Sequence, residues 1–331
     1  MPGIGGNASG WGIAFSTQFS EAAQLQMQNA AALLEKLPYK IVRTYNLENH
    51  VIPAVLGSVQ VESLIVGVTN EHVNMISSAV AVADSVVGFI ISEAGEHLER
   101  VTAIAIGNEP NEPASYVPPA VVLSALANFR AALAKRPEAA HIRLTVPMTG
   151  GVITLSYPPE AAIVDPTWVD VLRDVDVVSI NWFPYFVAKS EPAMPIGIAL
   201  GTMPPPWHYP PDAARTSVWD PAHADPTFGL HEARSLLDIM LHASKFALHR
   251  AGLPPDNLMV GETGWPSGGS WVATLPNART FYENCLTGRM RSLINNDVTI
   301  ILFELMDEAL KPGNEDEHYW GQLTAGLEPK C

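Results

Sequence analysis

The stretch "NLMVGETGWPSGG", residues 257–269, decides the fold. Its first five residues form a short apolar run with no polar alternation, bounded by turn residues. That is the pattern of a parallel strand buried on both faces. A single acid, Glu262, stands directly after the run, and glycine, tryptophan and proline then turn the chain sharply. Seven more runs of the same kind lie outward from it: "WGIAFS" (11–16), "KIVRTY" (40–45), "SLIVGV" (63–68), "TAIAIG" (102–107), "IRLTV" (142–146), "DVVSIN" (176–181) and "VTIILF" (298–303).

Helical patterns fill the intervals. They are expected over 20–37 behind Ser20 as N-cap, over 70–87 from Asn70, and over 119–135 with a proline near the start. Two more are expected over 230–251, ending at Gly252, and over 277–293. Eight strands alternating with helices predict a single (β/α)8 barrel domain over residues 1–331. A doubly wound open sheet would have fewer strands and a glycine-rich turn after the first. "GIGGNA" (3–8) precedes the first strand, so it fails as a dinucleotide fingerprint.

One interval is too long. Residues 182–256 separate strands six and seven, where a helix with its loops takes roughly 30. The excess, residues 188–229, is rich in proline and carries Trp207, Tyr209, Trp219 and Phe228. Such an insertion reads either as a functional wall beside a site or as surface decoration.

Composition excludes several classes. The 331 residues are 47% hydrophobic, enough for a large core, and the net charge is −15 from 19 basic and 34 acidic residues. No basic cluster exists to grip nucleic acid or an anionic membrane, and the acidity suits a neutral ligand. No apolar stretch is long enough to span a membrane. The start, "MPGIGGNASG", has no signal-peptide pattern, although Asn7 begins a glycosylation sequon. Cys285 and Cys331 match neither a zinc site nor a redox motif, and their pairing stays open. The ten histidines show no metal-binding spacing, so no cofactor or metal is expected, and His231 and His242 read as helix-surface or packing residues.

In such barrels the chemistry sits at the C-terminal ends of the strands. After strand four comes "GNEPNE", with Glu109; after strand seven comes Glu262. Two carboxyl groups on one rim suit glycoside hydrolysis: one stays protonated to protonate a leaving oxygen, the other attacks the anomeric carbon. The plainer alternative is two strand-end acids that cap helices or neutralise arginines.

Several motifs in order carry a family resemblance. "IAIGNE" and "VGETGWPSGG" resemble the acid/base and nucleophile segments of glycoside hydrolase family 17, the β-1,3-glucanase family. "IVRTYN", "LIVGVTN", "SINWFPYF", "LPNARTFYENCL" and "LFELMDEALKPGNEDEHYWGQL" are similar to its second, third and sixth strands, the helix after the nucleophile, and the eighth strand and tail. The resemblance implies Glu109 as acid/base, Glu262 as nucleophile, and Asn108 on the sugar 2-hydroxyl. Glu308, Lys311 and Glu317 match polar residues near the nucleophile, Lys311 keeping nearby carboxylates ionised. For Glu317 a plain surface acid is the alternative. Tyr45 and Tyr185 match tyrosines that orient the nucleophile and line the cleft. Trp265 and Trp320 are expected as sugar-stacking platforms, with packing under the turn as the alternative for Trp265. The chain departs from the pattern at Phe183, where tyrosine is usual, at Pro110 after the acid/base, in the first strand, and in the size of the insertion.

The activity implied is retaining endo-hydrolysis of β-1,3-glucan by a monomer, in an extracellular or cell-wall setting. Transglycosylation or chain-end action would use the same residues, with the 188–229 insertion as acceptor site or end wall. A non-catalytic glucan-binding protein is the third reading, disfavoured by the intact carboxyl pair.

Overall fold

The computed structural model describes residues 10–48, 50–154, 159–205, 233–291 and 295–330. Eight parallel strands close a barrel in sequence order. They are β1 (Trp11–Ala14), β2 (Ile41–Arg43), β3 (Ser63–Val68), β4 (Val101–Ile106), β5 (Arg143–Thr149), β6 (Val177–Asn181), β7 (Leu258–Thr263) and β8 (Thr299–Leu302). Closure is completed by β1 against β8, with Gly12 opposite Ile301. Every residue of β3, β6, β7 and β8 is buried, which is why those runs lack alternation.

Two strands run further than their apolar pattern. β5 continues through Pro147 to Thr149, and the Pro147 carbonyl accepts from Glu109 N at 2.8 Å. β7 includes Glu262, which lies opposite Asn181 in register beside an irregularity in the β6–β7 ladder. The carboxylate therefore stands on the strand itself rather than beyond it.

The helices are α1 (Ala23–Leu34), α2 (Val51–Leu56), α3 (Asn70–Ser78), α4 (Val80–Ala94) and α5 (Pro119–Leu133). They continue as α6 (Val169–Asp174), α7 (Pro184–Ser190), α8 (Ile196–Leu200), α9 (Leu236–Arg250) and α10 (Leu275–Leu286). Three differ from expectation for local reasons. Ser20 does not cap α1; its hydroxyl accepts from Ala22 N and the helix starts later, at Ala23. The single helix expected over 70–87 is two, broken at Ala79, which is extended. There Ser77 and Ser78 bond back to Asn74 O and Met75 O, and Asn128 takes the Ile76 carbonyl at 2.8 Å. α3 does start at Asn70, with Thr69 as its cap accepting from His72 N. α10 stops seven residues early because Gly288, at φ +72°, reverses the chain.

Helices α7 and α8 occupy the first part of the 182–256 interval, so the insertion does not begin as loop. Its aromatics Trp207, Tyr209, Trp219 and Phe228 lie outside the described residues, as do "GIGGNA", Asn7, His231 and Cys331. Cys285 is buried against Met290. His242 is buried, its Nδ1 donating to Asp238 O, so it is a packing residue. Among the described residues no helix is long and apolar enough to cross a membrane.

Candidate active site

A cleft of about 900 Å³ is lined from the C-terminal ends of the strands, and both Glu109 and Glu262 line it. Glu262 is 5% exposed. Its Oε1 accepts from Arg43 Nη1 at 2.9 Å, and that nitrogen also donates to Gly261 O at 2.8 Å. The other arm of the same guanidinium, Nη2, donates to Asn108 Oδ1 at 2.6 Å. One buried cation at the end of β2 thus holds the carboxylate of β7 and the amide after β4 in a fixed relation. The side chain before the carboxylate must be absent: a Cβ on Gly261 would lie 2.4 Å from Ser179 Oγ and 2.5 Å from Asn181 Oδ1.

Glu109 stands one turn past β4 in an unusual backbone state, φ +51°. Bonds on every side hold it there: Glu109 N to Pro147 O, Ser115 Oγ to Glu109 O, and Glu112 N to Glu109 O. Asn70 braces the approach, accepting from Asn108 N at 2.8 Å and donating to Asn108 O and Ser115 O at 2.9 Å. At the side chain, Asn181 Nδ2 donates to Glu109 Oε1 at 2.8 Å. Burial, then the Glu262 charge, raise the Glu109 carboxyl to about 7, against the opposing pull of Asn181 and Arg43. The two acids therefore differ in environment: one is locked to a buried cation, the other keeps its proton near neutrality.

Residues 26–330 match the sequence model of glycosyl hydrolases family 17. The chain belongs to that family. It is a glycosidase of the family by descent. It is 28% identical to a glucan endo-1,3-beta-glucosidase of Vitis vinifera over 87% of this chain and 81% of that protein. It is 26% identical to glucan endo-1,3-beta-glucosidase 4 of Arabidopsis thaliana, over 88% of this chain but only 57% of that longer protein. In structure it resembles CJP38, a beta-1,3-glucanase and allergen of Cryptomeria japonica pollen, with a TM-score of 0.78 and 21% identity over 97% of both chains.

In this family 17 glycosidase, Glu308, Lys311 and Glu317 all line the cleft. Glu308 is fixed by Ser16 Oγ at 2.8 Å and Phe19 N at 3.0 Å, both from the turn after β1. Lys311 Nζ lies 3.4 Å from Glu317 Oε2 and 4.1 Å from the Phe303 ring centre. Burial alone would pull its ammonium down, but Glu304, Glu317, Glu262 and Glu308 together hold it above its usual range. Tyr45 lines the cleft beneath Arg43, whose guanidinium lies 4.8 Å from the ring centre. Its phenol is raised by burial and by the Glu262 charge, while its hydroxyl lacks the geometry of a hydrogen bond.

Three aromatics depart from expectation. Tyr185 does not orient Glu262. It is fully buried, and its hydroxyl bonds Asp316 and Ser270, tying α7 to the turns beneath the cleft. Its proline-initiated helix carries the side chain inward, away from the rim. Trp265 is also fully buried; its Nε1 donates to Val272 O and its ring packs on Tyr185 and Phe281, so it fixes the turn after β7 and cannot stack a sugar. Trp320 does line the cleft, but it is 1% exposed and ringed by Phe183, Tyr185, Phe186 and Phe303, which leaves no open face for stacking.

Sequence reasoning missed Arg43, Asn70 and Asn181. A signal existed for the first: a lone cation inside an apolar strand buried on both faces must meet an anion inside the barrel. The tail adds a further support. Lys330 Nζ donates to Asp307 Oδ1 at 2.6 Å, Ser267 Oγ at 2.8 Å and Tyr319 O at 3.2 Å, pinning the turn after the nucleophile strand to the segment after β8.

Proposed function

We propose that this enzyme cleaves β-1,3-glucan internally with retention of configuration. The observation that carries the reading is the asymmetry of the two acids: Glu262 is ion-paired with Arg43, while Glu109 is raised to about 7. Glu109 gives its proton to the glycosidic oxygen as the bond to the anomeric carbon breaks. Glu262 attacks that carbon and forms a glycosyl ester. Glu109, now ionised, takes a proton from water, whose oxygen displaces Glu262 and releases the sugar. Asn108, with Oδ1 already held by Arg43, offers its amide N–H to the 2-hydroxyl of the sugar being cleaved. Lys311 offsets the negative charge of Glu262, Glu308 and Glu317. The substrate and the internal mode of attack are supported by the names of the curated relatives. A monomer acting on a cell-wall or extracellular polymer completes the proposal.

The test is a time course of products from linear β-1,3-gluco-oligosaccharides by mass spectrometry. Products shorter than the substrate, spread over several sizes, are expected. Early products longer than the substrate would instead mean transfer to a second glucan. Full cleavage by Glu262→Ala would overturn the mechanism.

A further inference from the structure

Glu304, two residues past the end of β8, plays no part in the reaction above. It is 1% exposed, it lines the cleft, and neither carboxyl oxygen has a hydrogen-bond partner among the described residues. A second buried group on the same floor is in the same condition: the Trp320 indole Nε1 is also unpartnered. The two residues are neighbours through their backbones, with Glu304 N donating to Trp320 O and Gln322 N donating to Glu304 O. The Phe303 ring, from the residue before Glu304, lies 5.7 Å from the Trp320 ring. Unmet polar groups of this kind cost folding stability, and buried polar atoms in native proteins nearly always find partners. Both residues line one cleft, and their unmet polar groups have a common explanation in a ligand.

We infer that Glu304 and the Trp320 indole N–H form a polar socket in the cleft floor that hydrogen-bonds a hydroxyl of the sugar bound beside Glu262. The inference rests on the glucanase reading above and names a specificity element within that site. The socket fits a neutral polyol. The indole donates to a hydroxyl oxygen, and a protonated carboxyl both accepts from a hydroxyl and donates to one. Burial and the charges of Glu308, Glu262 and Asp307 raise the Glu304 carboxyl while Lys311 opposes them, so the carboxyl accepts from a hydroxyl in either protonation state and donates to one when protonated. An anionic sugar would gain nothing there, because four carboxyl groups already share the neighbourhood with Lys311. A hydrogen-bonding site of this type rejects a sugar lacking the hydroxyl, since the buried groups then stay unpaired.

The experiment compares wild type, Glu304→Leu, Glu304→Gln and Trp320→Phe on laminaripentaose, with kcat/KM and the thermal midpoint measured for each. Glu304→Leu is expected to unfold at the same or a higher temperature, because it removes an unpaired buried carboxyl, yet to lose about tenfold to a hundredfold in kcat/KM. Glu304→Gln, which still donates and accepts, is expected to stay within about fivefold of wild type. Trp320→Phe loses the donor and falls between them. On monodeoxy substrates, wild type and Glu304→Leu are expected to converge at one position, the hydroxyl the socket reads. An unchanged kcat/KM in Glu304→Leu overturns the inference while leaving the glucanase reading intact. So does loss of stability in both Leu and Gln variants with equal loss of rate, which would make the carboxyl purely structural. A wild type that cleaves no laminari-oligosaccharide overturns both.

Discussion

Between about pH 5 and 7 an ordinary glutamic acid is ionised, whereas Glu109 still holds its proton because burial and the Glu262 charge oppose ionisation. As a general acid it works below its raised value of about 7, so kcat/KM falls as pH rises through that point. Aryl glycosides with good leaving groups need no proton, and with them the alkaline limb of the profile is expected to flatten. The same shift reaches stability. The folded chain keeps a proton that the unfolded chain loses between 4.5 and about 7, so this residue's contribution declines as pH rises through that window. Glu109→Gln removes that slope, as denaturant titrations at several pH values would show. Arg43 holds the other acid in place through an ion pair. Arg43→Met leaves Glu262 buried without its cation and frees the Asn108 amide, so kcat/KM is expected to fall. Denaturant unfolding at pH 7 is expected to show a loss of about 3–5 kcal/mol. The two glutamates were legible in the sequence because each stands within two residues of the glycine that closes an apolar run. Arg43 was passed over because it sits within such a run, and only closure of the barrel, which brings β7 within reach of β2, shows which anion it meets.

At the scale of elements, the post-nucleophile turn and the 315–320 segment are built as one unit. Lys189 on α7 pairs with Asp316 at 2.6 Å, Tyr185 reaches both Asp316 and Ser270, and Ser267 N donates to Tyr319 O at 2.9 Å. Tyr185→Phe is expected to lower stability by about 1–2 kcal/mol with kcat/KM within threefold of wild type, as for a lost buried hydrogen bond away from the substrate. A larger change in kcat/KM than in the thermal midpoint would return Tyr185 to the cleft. Gly261→Ala should do the reverse. Its new methyl displaces Asn181 and Ser179, so activity collapses while the rest of the barrel remains folded, as far-ultraviolet circular dichroism would report. The strands were readable because two-sided burial leaves no alternation to confuse them. Helix boundaries were less so. Side chains such as Ser77, Ser78 and Asn128 divert backbone groups locally, and periodicity carries no record of that. The buried places of Trp265 and Tyr185 were equally hidden, since an aromatic beside an active-site turn reads the same whether it faces the sugar or the core.

For the whole molecule, the net charge of −15 sets how the enzyme meets its substrate. Linear β-1,3-glucan is neutral, so kcat/KM is expected to be nearly independent of ionic strength from about 10 mM to 300 mM salt. A sulfated or carboxymethylated glucan is repelled, and its KM should fall as salt screens that repulsion. Equal salt dependence for neutral and anionic glucans would show that the charge lies away from the cleft.

The grip of Lys330 on Asp307, Ser267 and Tyr319 carries a consequence for catalysis. The last described residue is wired into the turn that follows the nucleophile strand. Lys330→Ala is therefore expected to loosen that turn and slow the enzyme while the barrel stays folded, so that a contact made far along the chain from Glu262 sets how firmly the nucleophile is aimed.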